Sequence, residues 1–343
     1  MILRFKKVLL LFIISAPIWA YAQDETDLED FLQAGPADAS KLMSAYLNPV
    51  IEGLSYGFNG GWYTTAKAHK TLGFDISVSV NAVFIPSSKN YFRPADLNLQ
   101  TAQLISPASG NAPTIAGPSD ETTYRVNLNN GSLPDPEFEG PQGLDFQETF
   151  KISGVVAPTA QIGLGIYKNT DLKVRWIPEV ESGSTKIKLF GVGVMHDIKQ
   201  HIPGIKVLPF DLSVVVAYTN IKGVTPMADP DLPPISGDTS PQEMTFNMNA
   251  WLFQAIISKK LAIFTFHGGV GYNTIATDSD VLGSYVLPGY PQGVRNPVSL
   301  RFKNNSMRLS GGIRLNLGPI YLNGEYTLQE YSTVSVGFGV TVR

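Results

Sequence analysis

The stretch GFDISVSVNAVF, residues 73–84, decides the fold. Phe74, Ile76, Val78, Val80, Ala82 and Phe84 alternate with Asp75, Ser77, Ser79, Asn81 and Val83. Successive side chains on a strand point to opposite faces, so this segment has one oily face and one largely wet face. The pattern recurs downstream. Met307, Leu309, Ile313, Leu315 and Leu317 oppose Arg308, Ser310, Arg314 and Asn316. Leu322, Tyr326 and Leu328 oppose Asn323, Glu325, Thr327 and Gln329, and Val334, Val336, Phe338, Val340 and Val342 oppose Ser335, Gly337, Gly339 and Thr341. A soluble sandwich also alternates, but these runs are about ten residues or longer, the length a tilted membrane strand requires.

Composition agrees. Of 343 residues, only 16% are charged, and the formal net charge is −3. That balance gives no electrostatic footprint for nucleic acid. Cysteine is absent, which excludes disulfides, zinc–thiolate sites and cysteine nucleophiles. Residues 1–22 read as a secretory signal: Arg4, Lys6 and Lys7, then the apolar run Val8–Ala16, then small residues ending at Ala22. Cleavage near Ala22 sends the chain towards the bacterial outer membrane. No later stretch approaches 18 continuous apolar residues, so any membrane crossing must be made by a barrel.

Residues 23–53 form an acidic segment (Asp24, Glu25, Asp27, Glu29, Asp30) followed by a helix over 36–47. Pro36 and Asp38 suit its first turn, and Leu42, Met43, Tyr46 and Leu47 share one side. Asn48-Pro49 should end it, because a residue before proline avoids the α region. Residues 54–343 form the barrel. Strands are expected at 54–66, 72–84, 157–167, 171–178, 185–196, 208–221, 244–257, 261–276, 299–317, 320–330 and 333–343. The long connections 86–148, 223–243 and 278–298 all fall on one rim, the external one, as in bacterial barrels. Eleven strands is odd, whereas single-chain barrels have even counts. The expected fold is therefore an all-β antiparallel transmembrane barrel of about 12 strands, alternatively 14, with a short N-terminal helical plug.

Asp38-Ala39-Ser40 followed by Asn48-Pro49 resembles the N-terminal Asn-Pro-Ala region of long-chain fatty-acid transporters of the outer membrane (FadL type), although Val50 stands where that pattern has alanine. The resemblance implies a hatch, here Asp38, Leu42, Tyr46, Asn48 and Pro49. A fuller resemblance, over most of the mature chain, is to an uncharacterised domain-of-unknown-function family of outer-membrane barrels. It is carried by Asn59-Gly60-Gly61-Trp62-Tyr63-Thr64-Thr65-Ala66-Lys67, Gly73-Phe74-Asp75, Pro158-Thr159-Ala160-Gln161-Ile162-Gly163-Leu164-Gly165, Arg175-Trp176-Ile177-Pro178 and His196-Asp197-Ile198-Lys199. It implies the fold and no activity.

The wet strand faces should line the lumen with Asp75, Lys173, Arg175, Lys188, Arg308, Arg314 and Glu325. This basic lean has two readings: a lumen that attracts anions, or residues that pair with one another and with the acidic segment 24–30. Trp62, Tyr63, Tyr167, Trp176, Tyr218, Trp251, Tyr272, Tyr326 and Tyr331 fit interfacial girdles. His196 and His201 are five apart, a spacing that suits metal ligation on neither helix nor strand, so no metal and no cofactor is expected. A grouping of His267, Ser310 and Asn316 is the faint case for catalysis; a hydrogen-bond network is the stronger reading, and the chain reads as no enzyme. The glycine pairs follow no strand–loop–helix plan and so bind no phosphate. The functional expectation is a plugged channel for passive uptake of a small amphipathic or hydrophobic compound, with outer-membrane lipid around it. The alternative is a non-transporting surface receptor or secretion-associated barrel whose external loops engage a protein. A cavity continuous past residues 36–49 would favour the first; a filled lumen beneath an ordered external platform would favour the second.

Overall fold

A computed structural model describes residues 28–127, 135–182, 184–227, 232–287 and 289–342. The signal sequence and residues 24–27 lie outside the described residues. Ten antiparallel strands close into a barrel. They are β1 (Phe74–Phe84), β2 (Gly154–Gly165), β3 (Thr170–Ser182), β4 (Thr185–Asp197), β5 (Asp211–Pro226), β6 (Glu243–Leu261), β7 (Phe264–Leu282), β8 (Val298–Leu317), β9 (Ile320–Leu328) and β10 (Thr333–Val342). Neighbours in sequence pair in order, and β1 closes the sheet by pairing with both β2 and β10: Asp75 stands opposite Gly163 on one side and Thr341 on the other.

The deciding alternation sorts as expected. Phe74 and Ile76 face outward while Asp75 and Asn81 are buried inward. The outward face carries Ile162, Trp176, Phe190, Phe253, Val270, Leu309, Leu322, Phe338 and their neighbours as a continuous apolar belt. An exposed apolar surface of this extent needs lipid against it. No described helix is long and apolar enough to cross a membrane, so the strands do the crossing.

The strand count corrects the expectation of 12 or 14. The surplus was the first segment, 54–66, which is not a strand. Instead α1 (Pro36–Phe58) runs straight through Asn48-Pro49 and past the expected stop. The proline removes one helical hydrogen bond, an interior cost of about 3 kcal/mol. The apolar stripe continues across it, with Val50, Ile51 and Leu54 buried beyond Leu42, Met43, Tyr46 and Leu47. Burying each such side chain contributes about 1.5–3 kcal/mol, so packing outweighs the proline.

The three longest connections leave one rim, as expected; the opposite rim carries the turns 166–169, 262–263 and 318–319 and the compact link 198–210. Residues 86–148 are not a bare loop. They form a three-stranded sheet (Ala102–Ser106, Thr122–Val126, Glu137–Gly140) and a two-stranded one (Tyr91–Phe92, Ala112–Pro113). Phe31, Leu42, Met43, Tyr46, Tyr124, Phe138, Phe146, Tyr285 and Phe302 pack together there into one apolar core beneath these sheets.

Candidate functional site in the barrel lumen

The segment from Pro36 to Gly73 runs down the inside of the barrel, and its contacts define the site. At the long-loop rim, Asp38 is buried and accepts hydrogen bonds from the backbone N–H groups of Gln100 (2.8 Å), Thr101 (2.7 Å) and Ala102 (2.9 Å), and from the Thr101 hydroxyl (3.0 Å). Burial alone would raise its pKa; those donors outweigh burial and hold the carboxyl below its ordinary value. Tyr46 donates to the Gln142 carbonyl at 2.6 Å, and Lys41 donates to the Asn98 carbonyl. The helix N-terminal half is thus fastened to the loops above it.

Two spaces flank the helix, one along each half. One face of α1 (Lys41, Ser44, Ala45, Asn48, Pro49) looks into an open cleft of about 590 Å³, bounded opposite by Lys89, Tyr91, Phe92 and Arg301. The face turned roughly away from it, at 100° per residue, presents Leu47, Val50, Ile51, Leu54 and Phe58 to a narrow apolar cavity of about 110 Å³. Ile187, Ile221, Met244, Phe246 and Met248 close that cavity from the barrel wall. Gly53 and Gly57 sit where α1 touches the wall: a Cβ on Gly57 would lie 2.7 Å from that of Ala157.

Below the helix the lumen is filled. Arg175 donates to the Phe58 carbonyl at 3.0 Å and Arg308 to the Asn59 carbonyl at 3.4 Å. Two barrel arginines therefore hold the carbonyl end of α1, where the helix carries partial negative charge. Trp62 lies under the Arg175 guanidinium, 3.8 Å from its ring centre, and against Gly191 and Gly193. Tyr63 meets Ser310 at 2.5 Å and Gln254 at 3.0 Å. Thr64 accepts from Arg314 at 2.9 Å, and Ser258 contacts Thr65 (3.1 Å) and the Ala66 N–H (2.9 Å). Ser213 donates to the Ala66 carbonyl at 2.6 Å. Near the short-turn rim, Asp171 accepts from the His69 backbone N–H (2.8 Å), with its other oxygen 2.8 Å from His69 Nδ1.

Of the seven residues assigned to the lumen, six are buried inside it: Asp75, Lys173, Arg175, Arg308, Arg314 and Glu325. Lys188 is a correction. Thr185, Leu189 and Met195 take the inward positions of β4, so Lys188 lies outward beside Phe190, about half exposed and 3.5 Å from Glu179. Its charge follows the period of two from Thr185, not the polarity of the side chain. The lumen charges pair chiefly with the lumen: Arg308 stands 3.8 Å from Glu325, and Asp75 accepts from the Tyr321 hydroxyl at 2.8 Å. Of the hatch residues, Asp38, Leu42, Tyr46 and Pro49 are buried and Asn48 borders the open cleft. Trp62, Tyr63 and Tyr331 are also corrections, being buried within the barrel; Tyr167, Trp176, Trp251, Tyr272 and Tyr326 do lie on its outside.

His267, Ser310 and Asn316 do not converge. Ser310 engages Tyr63 and Gln254, Asn316 engages Arg314 and Thr265, and His267 stands 3.5 Å from Glu325. The residues that sequence reasoning missed are 59–66. Their glycine pair and consecutive polar and aromatic residues break the period of two, and that break was the available signal.

A family model matches residues 4–342. The chain belongs to the family of unknown function DUF6588. The expected membership of an uncharacterised barrel family is thereby met, and the family brings no activity with it. No curated protein matches the sequence. Among solved structures, the barrel is similar to Ail, the attachment invasion locus protein of Yersinia pestis, at 7% identity and TM-score 0.27, covering 79% of this chain and 99% of that one. It is similar to the translocator domain of autotransporter NalP from Neisseria meningitidis at 11% identity and TM-score 0.31, covering 90% and 96%. The Ralstonia pickettii toluene transporter TbuX follows at 7% identity and TM-score 0.23, covering 88% and 93%. At these scores the likeness adds nothing to the fold, which rests on the closed strand register itself.

Proposed function

We propose that this protein is an outer-membrane barrel that passively takes up a small hydrophobic or amphipathic compound, with residues 36–73 acting as its plug. The long-loop rim is then external and the short-turn rim periplasmic. The observation that carries the reading is the apolar cavity of about 110 Å³ between α1 and the barrel wall. An apolar cavity of ~150 Å³ stays dry and binds benzene, so this one suits a compound of a few heavy atoms at rest, or a larger one when α1 shifts. The open cleft on the other face of the helix is wide enough for first capture. Passage requires the 59–71 segment to leave the wall, because its side chains occupy the lower lumen.

The absence of cysteine makes that movement testable. Thr65 and Ser258 place their hydroxyl oxygens 3.1 Å apart. A T65C/S258C variant should form a disulfide that pins the segment to β6. In proteoliposomes, uptake of small aromatic and aliphatic solutes should stop when the pair is oxidised and return on reduction. No uptake by the wild-type protein would sink the transport reading; equal uptake in both states would sink the required movement of the 59–71 segment.

The second reading, a surface receptor with a permanently closed lumen, draws on two features: the filled lower lumen and the ordered sheets over 91–140. It is the one left standing if the reduced and oxidised forms are both impermeable while the folded barrel retains solute binding.

A further inference from the structure

The geometry points to a second site, unrelated to the lumen: His196 and His201 together form a docking site for one divalent transition-metal ion on the short-turn rim. His196 is the penultimate residue of β4, and His201 ends the single 3₁₀ turn (Lys199–His201) that follows. The five-residue spacing looks unsuitable only if both sit on one regular element. Here the chain leaves the strand and doubles back, so the two Nε2 atoms stand 2.9 Å apart with ring centres at 5.2 Å. Two nitrogens bound at 2.0–2.1 Å to one cation, at 90–110°, stand about 2.9–3.4 Å from each other. The spacing therefore needs at most a few tenths of an ångström of adjustment.

The ring of His196 is also held from behind. Its Nδ1 lies 2.8 Å from the Thr170 hydroxyl on β3. When that hydroxyl accepts a hydrogen bond from Nδ1–H, the proton stays on Nδ1 and the Nε2 lone pair is available to a metal, the arrangement seen behind most metal-binding histidines. Gln200 packs beside them but is not a ligand: its amide nitrogen donates to the Lys168 carbonyl (3.0 Å) and the Asp197 carbonyl (2.8 Å) and stands 3.5 Å from His196 Nε2, a weak contact that a bound ion would displace. Asp197 is engaged too, accepting from the Lys199 N–H. Two imidazoles at an exposed edge with water completing the shell suit Cu²⁺ and Ni²⁺ over Mg²⁺ or Ca²⁺, which prefer oxygen. A bound ion would cross-link the strand end to the 198–210 connection.

The test is a Cu²⁺ titration of the full mature chain, carrying no histidine tag, folded in detergent micelles. One equivalent should bind, with an electron paramagnetic resonance spectrum showing two imidazole nitrogens. H196Q and H201Q should each weaken binding at least tenfold, and T170V severalfold, with all three barrels folded. In the wild-type protein, Cu²⁺ should slow amide exchange across 198–210 and nowhere in β7 to β9. The site is refuted by the absence of saturable binding, by binding that the double variant H196Q/H201Q retains, or by copper that leaves exchange in 198–210 unchanged.

Discussion

Removing the Asp38 carboxylate should release the top of the plug without unfolding the barrel. Asp38 accepts from the backbone N–H groups of Gln100, Thr101 and Ala102, and also takes the Thr101 hydroxyl. Bonds to a charged acceptor contribute about 1.5–3 kcal/mol each, and a buried donor left without a partner costs about 1–3 kcal/mol. These terms overlap, and water will reach some of the freed donors, so D38A should lose about 3 kcal/mol locally. At 1.4 kcal/mol per tenfold, amide exchange at residues 100–102 should accelerate roughly 100-fold. D38N should fall between. Asp38 Oδ2 takes all four donors at 3.0 Å or less, so an asparagine oxygen placed there keeps them without the charge and loses only the second, 2.8 Å contact of Gln100 at Oδ1. The same contact sets a pH dependence. The folded carboxyl has a lowered pKa, so its contribution is full above the ordinary aspartate range near 4 and is lost as pH falls through the lower folded value. Exchange at 100–102, corrected for intrinsic rates, should therefore depend on acid pH in the wild type and not in D38A. Unchanged exchange in D38A at neutral pH would refute the reasoning, as would a collapse of protection across β1 to β10.

G57V should push α1 off the wall, because its first added atom meets Ala157 at 2.7 Å and Val83 at 3.1 Å; overpacking costs about 1–3 kcal/mol, and single-channel recording should show openings that the wild type lacks. R175M should loosen the lower segment by about 1–3 kcal/mol, since it leaves the Phe58 carbonyl and Gln161 oxygen without their buried charged donor; protease added at the short-turn side should then cut within 59–71, and resistance equal to wild type would contradict the assignment. K188E should leave the ion selectivity of any opened channel unchanged, because Lys188 faces outward with Glu179; a reversal of selectivity would place it back in the lumen.

The barrel was legible because lipid and lumen demand opposite side chains at every second position, and no other constraint acts on a strand that thin. The residues of β1, β8, β9 and β10 announce their faces one by one. Asp75, Arg308, Arg314 and Glu325 could be assigned inward on that ground alone. Lys188 could not, since a strand end near the rim is released from the oily requirement and a lysine there can face water on the outside. The plug was half legible. Leu42 and Tyr46 mark the helix face, but the local rule at Asn48-Pro49 hid its second half, which tertiary contact with the barrel wall stabilises, Val83, Val155 and Ala157 included. The lower segment was not legible at all. Trp62 and Tyr63 look like girdle residues until Gly191 and Gly193 on β4 open the space that receives Trp62 and Gly269 on β7 the space that receives Tyr63.

That last pairing changes what the basic lumen means. Arg175 and Arg308 approach from opposite parts of the wall, β3 and β8, and converge on consecutive carbonyls at the end of one helix. A ring of cations built to select anions would leave its donors facing an open path. Here the donors are spent on the chain's own backbone, and the Arg175 face is covered by Trp62. The positive charge of these two residues is therefore accounted for by the helix end itself. On the proposed reading, selectivity would be exercised above it, on the two faces of α1, where the side chains that border open space are apolar on one side and mixed with Lys41, Lys89 and Arg301 on the other. If the proposed uptake holds, such a barrel could change its compound by substitutions along 41–58 without disturbing the strands around the lower segment.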